Sequence, residues 1–244
     1  MKILVQYLII AFGIAYASFC MGQSNTYYLD RYGNILDENA YKIKKAEAEN
    51  SIRTENEGKL YLIENMIELY VRNDSIVNLY NWILTENINK TEKEFKNTNA
   101  LIGTIYPIKD AKTLNGNIVN IEDFKGKPTL INLWFTTCPP CIREMPVLNK
   151  MKDENNDRFN FLSVTMDSKS KVNRLLEKHD FNFDHIVGSE KLTSKLGFRH
   201  FPYNIFLDKE GRIKVIDGGV PVKYENGISA PCPDRFLKIL ESLL

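Results

Sequence analysis

The passage from Thr129 to Cys141 constrains this chain most, because a nearly unbroken apolar run leads straight into Cys138-Pro139-Pro140-Cys141. The run Thr129-Leu130-Ile131-Asn132-Leu133-Trp134-Phe135 is bounded by Lys127-Pro128 before it and Thr136-Thr137 after it. An apolar stretch of this length without alternation predicts a central strand buried on both faces. A helix is predicted from Cys138 to about Met151, since Pro139 and Pro140 fall in its first turn, where a missing N–H costs nothing. Pro146 is expected to kink it. A strand that delivers two cysteines to a helix N-terminus is what thiol–disulfide chemistry needs. The free N–H groups and the helix dipole favour a thiolate at Cys138, expected to be the more exposed sulfur. Cys141, one turn on, is placed to resolve a mixed disulfide. The two prolines hold the turn stiff between the sulfurs.

Other readings of the pair fit less well. A zinc site wants a second Cys-x-x-Cys or a Cys/His pair at ligand spacing. Cys232 and the histidines His179, His185 and His200 are dispersed and show no such spacing, so no metal and no organic cofactor are expected. A purely structural bridge three residues apart closes too short a loop to add much stability.

Around this passage the chain alternates strand and helix signals. Phe159 to Met166 reads as a strand and Lys169 to His179 as a helix. Lys191 to Leu196 reads as a short helix closed by Gly197. Tyr203 to Leu207 is a predicted strand, joined through Asp208-Lys209-Glu210-Gly211 to a hairpin partner from Arg212 to Ile216. Asp234 to Leu244 is an amphipathic helix. The resulting order is β-α-β-α-(α)-β-β-α. Cys232, between two prolines, carries no motif.

Residues 23–100 have a different texture, rich in Asn, Glu and Lys. Tyr27 to Leu36 reads as two short strands around a Gly turn, and Glu38 to about Glu57 as a helix. Leu60 to Leu84 is structured, with strand and helix equally compatible, and Thr85 to Asn99 is a helix end or a linker. No reactive cluster lies in this region, which reads as a packing or interaction module. The expected layout is a signal peptide over 1–22, an N-terminal region over 23–100 and the redox domain over 101–244.

The signal peptide rests on Met1-Lys2 followed by an apolar run from Ile3 to Phe19, with small residues at Ala15, Ala17 and Gly22. Retention as a membrane anchor is the alternative, since the run approaches the lower limit for spanning a bilayer. Phe19 stands where a lipobox before Cys20 wants a small residue. Export to a bacterial periplasm or cell envelope places the remaining cysteines in an oxidising setting, where a Cys-x-x-Cys pair is a bridge, a metal site or a redox centre. The charge balance, 32 Lys plus Arg against 31 Asp plus Glu, with no basic stripe, points away from nucleic acid.

The stretch from Asp123 to Pro146, with Cys138-Pro139-Pro140-Cys141 inside it, resembles the thioredoxin superfamily and within it the exported TlpA/ResA-like thiol–disulfide oxidoreductases. Leu196 to Gly211 matches as well, and the resemblance covers roughly residues 101–244. It implies a thioredoxin-like α/β fold, a central mixed sheet flanked by helices, here preceded by a smaller α+β region. It implies a cis bond before Pro202, which exposes the Phe201 backbone to an extended substrate chain. Phe201 and Pro202, with Pro139 and Pro140, form the expected substrate-facing set; His200 flanks the same groove. Glu144, one turn beyond Cys141, matches a family position where a part-buried carboxyl moves a proton to or from the thiol. Asn132 stands where cytoplasmic thioredoxins carry a buried Asp, which shifts acid–base work toward Glu144. The sequence departs from the family at Thr137, where Trp is common before the first cysteine. Trp134 is expected in the core.

Partners are therefore exported protein or peptide thiols and disulfides and a redox protein upstream, with a reductant role implied by the resemblance. Two other classes stay open. A peroxiredoxin-like peroxidase shares the wider fold, although Ile131 stands where its motif wants proline. A non-enzymatic binding protein would work through residues 23–100.

Overall fold

The structure, a computed structural model, describes residues 25–55, 59–72, 75–195, 201–225 and 228–244. The expected signal peptide, Cys20, Gly197 and His200 lie outside the described residues. Among those described, no helix is long and apolar enough to cross a membrane.

The segment before residue 101 folds as a four-stranded sheet with two helices. Strands β1 (Asn25–Leu29) and β2 (Ile35–Asp37) form the expected small hairpin, turned by Asp30, whose carboxylate accepts from the Tyr32 and Asn34 N–H groups. Helix α1 (Glu38–Glu55) follows. The ambiguous stretch resolves as two long antiparallel strands, β3 (Tyr61–Arg72) and β4 (Ser75–Thr85). β-branched and aromatic residues suit them to a half-covered sheet surface. Helix α2 (Ile88–Asn99) starts where the Asn87 side chain accepts from the Lys90 N–H. The strand order is β2-β1-β4-β3.

The remainder has the thioredoxin-like arrangement. After the short ribbon of β5 (Ala111–Lys112) and β6 (Ile118–Val119) come β7 (Thr129–Trp134), helix α3 (Pro139–Asn155) and β8 (Asn160–Thr165). Helix α4 (Lys169–Leu176), strand β9 (Asp184–Ile186) and helix α5 (Glu190–Lys195) lead to β10 (Tyr203–Leu207) and β11 (Ile213–Asp217). A second ribbon, β12 (Val222–Glu225) with β13 (Ile228–Pro231), precedes helix α6 (Asp234–Ser242). The five-stranded sheet has the order β11-β10-β7-β8-β9, parallel from β7 to β9 and antiparallel across β10 and β11. β7 is central and every residue in it is buried, as its apolar run predicts. Strand β9 and the β12–β13 ribbon escape the sequence reading because short strands with charged or proline-flanked ends carry little period. Helix α3 runs on through Pro146.

The sheet separates two apolar layers. Leu130 and Trp134 of β7 face Met145, Leu148 and Met151 of α3 and Phe236, Ile239 and Leu240 of α6. Ile131 and Leu133, alternating with them, face Tyr106, Ile108 and Ile121. Leu29, Leu69, Val77 and Leu79 of the N-terminal sheet belong to the first layer, so both sheets share one continuous core beneath α6.

Candidate active site

Strand β7 ends at Trp134, and a three-residue link carries the chain to Cys138, the N-cap of α3. Asp167 fixes that link, its Oδ2 accepting from the Thr136 N–H (2.7 Å) and the Thr136 hydroxyl (2.8 Å). Burial pushes the Asp167 carboxyl up, but the two Thr136 bonds and Lys171 outweigh it and hold its pKa below the ordinary value. Cys138 and Cys141 form a disulfide with Cα atoms 5.3 Å apart. Cys138 Sγ accepts from the Cys141 N–H at 3.3 Å, a cap that sets the first sulfur among free N–H groups of the helix. Both cysteines are buried in this oxidised state, Cys138 keeping 2% of its surface and Cys141 none. Pro139 and Pro140 occupy the exposed first turn, and Thr137 is exposed beside them.

Glu144 is buried one turn beyond Cys141 rather than lying on the helix surface. Its Oε1 accepts from Asn132 Nδ2 at 2.7 Å, and its Oε2 accepts from the Val220 N–H at 2.8 Å. Burial raises its pKa to about 7, even though the bonds from Val220, Asn132 and Asn204 favour the ionised form. A carboxyl that exchanges its proton near neutrality has the acidity that proton transfer to a thiol needs. Asn132 also donates to Asn204 Oδ1 at 3.0 Å, and Asn204 Nδ2 donates to the Gly218 carbonyl at 2.9 Å.

The Phe201–Pro202 bond is cis, as the resemblance implies. Phe201 is half-buried against the Phe135 ring, centroids 5.3 Å apart, and packs on the apolar layer that holds the disulfide. Pro202 and Glu144 converge on Gly219, where an added Cβ would lie 2.9 Å from Pro202 Cγ and 3.0 Å from Glu144 Oε2. Trp134 is fully buried, edge-on to Phe181, in the core as expected.

A model of the redoxin family matches residues 90–227. The chain belongs to the redoxin family. This redoxin is 30% identical over 118 residues to the thioredoxin-like protein YneN of Bacillus subtilis (strain 168), a match covering 47% of this chain and 69% of that one. It is 26% identical over 129 residues to the thiol-disulfide oxidoreductase ResA of Geobacillus thermodenitrificans, covering 52% and 74%. Among solved structures, the thioredoxin domain of a thiol-disulfide oxidoreductase from Bacteroides vulgatus is 22% identical with a TM-score of 0.48, covering 59% of this chain and 98% of that one. This redoxin is thus a TlpA/ResA-like member of the thioredoxin superfamily and a thioredoxin-like thiol–disulfide oxidoreductase.

The structure gathers Cys138, Cys141 and Glu144 along one helix and brings Pro202 to Glu144. It adds three groups absent from the sequence reading: Asn204, Gly219 and the Val220 N–H. Asn204 had a signal, an amide beside the wholly apolar Ile205-Phe206-Leu207 in a central strand. Gly219 and Val220 had none, since a backbone N–H carries no mark in sequence.

Proposed function

We propose that this redoxin exchanges electrons with exported protein thiols and disulfides through Cys138 and Cys141, acting as a reductant. The carrying observation is the Cys138–Cys141 disulfide at the N-terminus of α3 with a buried Glu144 one turn behind it. In the reducing direction the pair starts as the dithiol. The Cys138 thiolate attacks a substrate disulfide, forming a mixed disulfide and releasing one substrate thiolate, which takes up a proton. Cys141 then loses its proton to Glu144 and attacks Cys138 Sγ, which forms the internal disulfide and expels the second substrate thiolate; that thiolate takes up a proton as Glu144 releases its own. Two electrons leave the pair and the substrate becomes a dithiol; an upstream dithiol protein restores the starting state. Phe201 and Pro202 hold an extended substrate segment, with Pro139 and Pro140 forming the rest of the contact face.

Residues 1–22 serve as a signal peptide, or as an anchor where retained, and 101–244 as the redox domain. Export to the bacterial envelope fits an oxidising compartment, in which a reductant maintains selected thiols, such as those awaiting haem attachment in cytochrome c or other envelope thiols. The deciding measurement is an equilibrium redox titration, with Cys138 and Cys141 alkylated and the products weighed. A reversible two-electron transition at about −270 mV supports the reductant. A value at about −120 mV reverses the direction of electron flow, and a pair that does not titrate removes the function altogether.

A further inference from the structure

Arg235 on α6 is a buried charge the redox centre does not use: 1% of its surface is exposed. A guanidinium in such a place is tolerated only when its donors are matched. Nε donates to Asp217 Oδ2 (2.7 Å), Nη1 to the Tyr80 carbonyl (3.2 Å) and Nη2 to Asn81 Oδ1 (2.7 Å). Tyr80 and Asn81 lie on β4 of the N-terminal sheet, while Asp217 is the last residue of β11. One side chain therefore ties the N-terminal sheet to the strand end from which the chain turns toward Glu144.

That turn is held at every step. Asp217 Oδ1 accepts from the Gly218 N–H (2.9 Å), and the Gly218 carbonyl accepts from Asn204 Nδ2 (2.9 Å). The Val220 N–H reaches Glu144 Oε2 (2.8 Å). Gly219 between them sits so close to Pro202 and Glu144 that no Cβ fits without displacing one of them. Packing of this kind leaves little slack, so a shift at Asp217 is carried to the carboxyl rather than absorbed.

We propose that the N-terminal sheet positions Glu144: Asn81 and the Tyr80 carbonyl hold Arg235, Arg235 holds Asp217, and Asp217 fixes the Gly218–Val220 turn that bonds the carboxyl. The proposal takes its functional meaning from the reading of Glu144 as the proton-handling group, but its geometry stands without it. Glu144 faces Asn132 from β7, Asn204 from β10, and Gly219 and Val220 from the turn. Arg235 faces Asp217 from β11 and Tyr80 and Asn81 from β4, and the Tyr80 phenol also feels the charges of Asp30 and Glu64. The Val220 bond favours the ionised carboxyl. Loosening the turn weakens that bond, leaves burial to dominate and makes Glu144 hold its proton to higher pH.

The test follows the side-chain carboxyl carbon resonance of Glu144 against pH in the oxidised full chain. Variants are Arg235→Met and Asn81→Ala, with Asn65→Ala as a control that cuts a different amide bond of the same sheet, the one to Asn99. The expected result is an upward move of the Glu144 midpoint by about half a pH unit or more in Arg235→Met, a smaller one in Asn81→Ala and none in Asn65→Ala. Circular dichroism checks that each variant is folded. If Arg235→Met does not fold, Asn81→Ala decides alone, because Asn81 is only part-buried and gives up a single partner. Midpoints that stay at the wild-type value in folded variants overturn the proposal. The reading of Glu144 fails separately, if Glu144→Gln leaves the pH dependence of disulfide exchange unchanged.

Discussion

The side-chain amide of Asn132 donates to Glu144 Oε1 at 2.7 Å, joining the central strand to the helix that carries both cysteines. Because Asn132 has no titratable group, the bond stabilises the carboxylate without competing for its proton. Among the described residues, Glu144 is the buried acid next to Cys141, and burial has moved its pKa to about 7.

Stability should record that shift. The ordinary carboxyl value is 4.5 and the folded value about 7, so the folded state holds a proton that the unfolded chain releases. The contribution is fully present below pH 4.5 and is lost as pH rises through about 7. Buried His185, whose pKa burial lowers from 6.5, works the opposite way: its contribution is present above pH 6.5 and is lost as pH falls below it. The difference between Glu144→Gln and the wild type therefore isolates the carboxyl. Urea unfolding of the oxidised proteins should show that difference moving by about 3 kcal/mol in favour of the variant between pH 5 and pH 8. A difference that stays flat would mean that Glu144 titrates normally.

Asn132→Asp places a second carboxyl against Glu144 Oε1 and Asn204 Oδ1, both acceptors. The new oxygen fits only when it carries a proton to donate, and two carboxylates at this distance cannot both ionise. The raised pair makes stability present at low pH and lost as pH rises. Melting temperatures should nearly match wild type at pH 4 and diverge above pH 6, by an amount worth about 2–4 kcal/mol at pH 8. A gap independent of pH would point to simple steric damage.

The strand–cysteine–helix passage was legible because its signals are local: an unbroken apolar run, prolines in a first turn and a cysteine spacing that one helical turn satisfies. Glu144 was legible by its helical offset from Cys141. The surroundings of Glu144 were not, because Asn204 and Val220 reach it from 60 and 76 residues further along the chain. Arg235 was hidden in the same way. On an amphipathic helix an arginine reads as a solvated side chain, and only Asp217, Tyr80 and Asn81 closing around it reveal a buried one. The β3–β4 hairpin stayed ambiguous because Leu60 to Leu84 mixes apolar residues with Asn and Glu at no clean period, and the sheet face decides what the pattern does not.

Cys141→Ser should trap what the proposed cycle passes through. With the resolving sulfur gone, a substrate disulfide attacked by Cys138 remains joined to it. Incubation with a disulfide-bonded peptide should give a stable adduct seen by mass spectrometry and released by dithiothreitol, whereas Cys138→Ser should give none. Adduct formation by Cys138→Ser alone would exchange the two roles.

Gly219 offers the sharpest steric test, because its neighbour supplies the control. A Cβ on Gly219 would lie 2.9 Å from Pro202 Cγ and 3.0 Å from Glu144 Oε2, one a ring and the other a carboxyl fixed by the Asn132 and Val220 bonds among others. Neither yields cheaply. A Cβ on Gly218 meets nothing within 4 Å. Gly219→Ala should therefore cost about 1–3 kcal/mol of stability and slow exchange with a peptide disulfide, since the Glu144 carboxyl or Pro202 must move. Gly218→Ala should stay within about 0.5 kcal/mol of wild type and keep its exchange rate. Stability is read by urea unfolding of the oxidised proteins, and exchange by stopped-flow tryptophan fluorescence. If Gly219→Ala lost stability but kept the wild-type rate, the contact between Pro202, Gly219 and Glu144 would be packing alone, and the proton would be handled elsewhere.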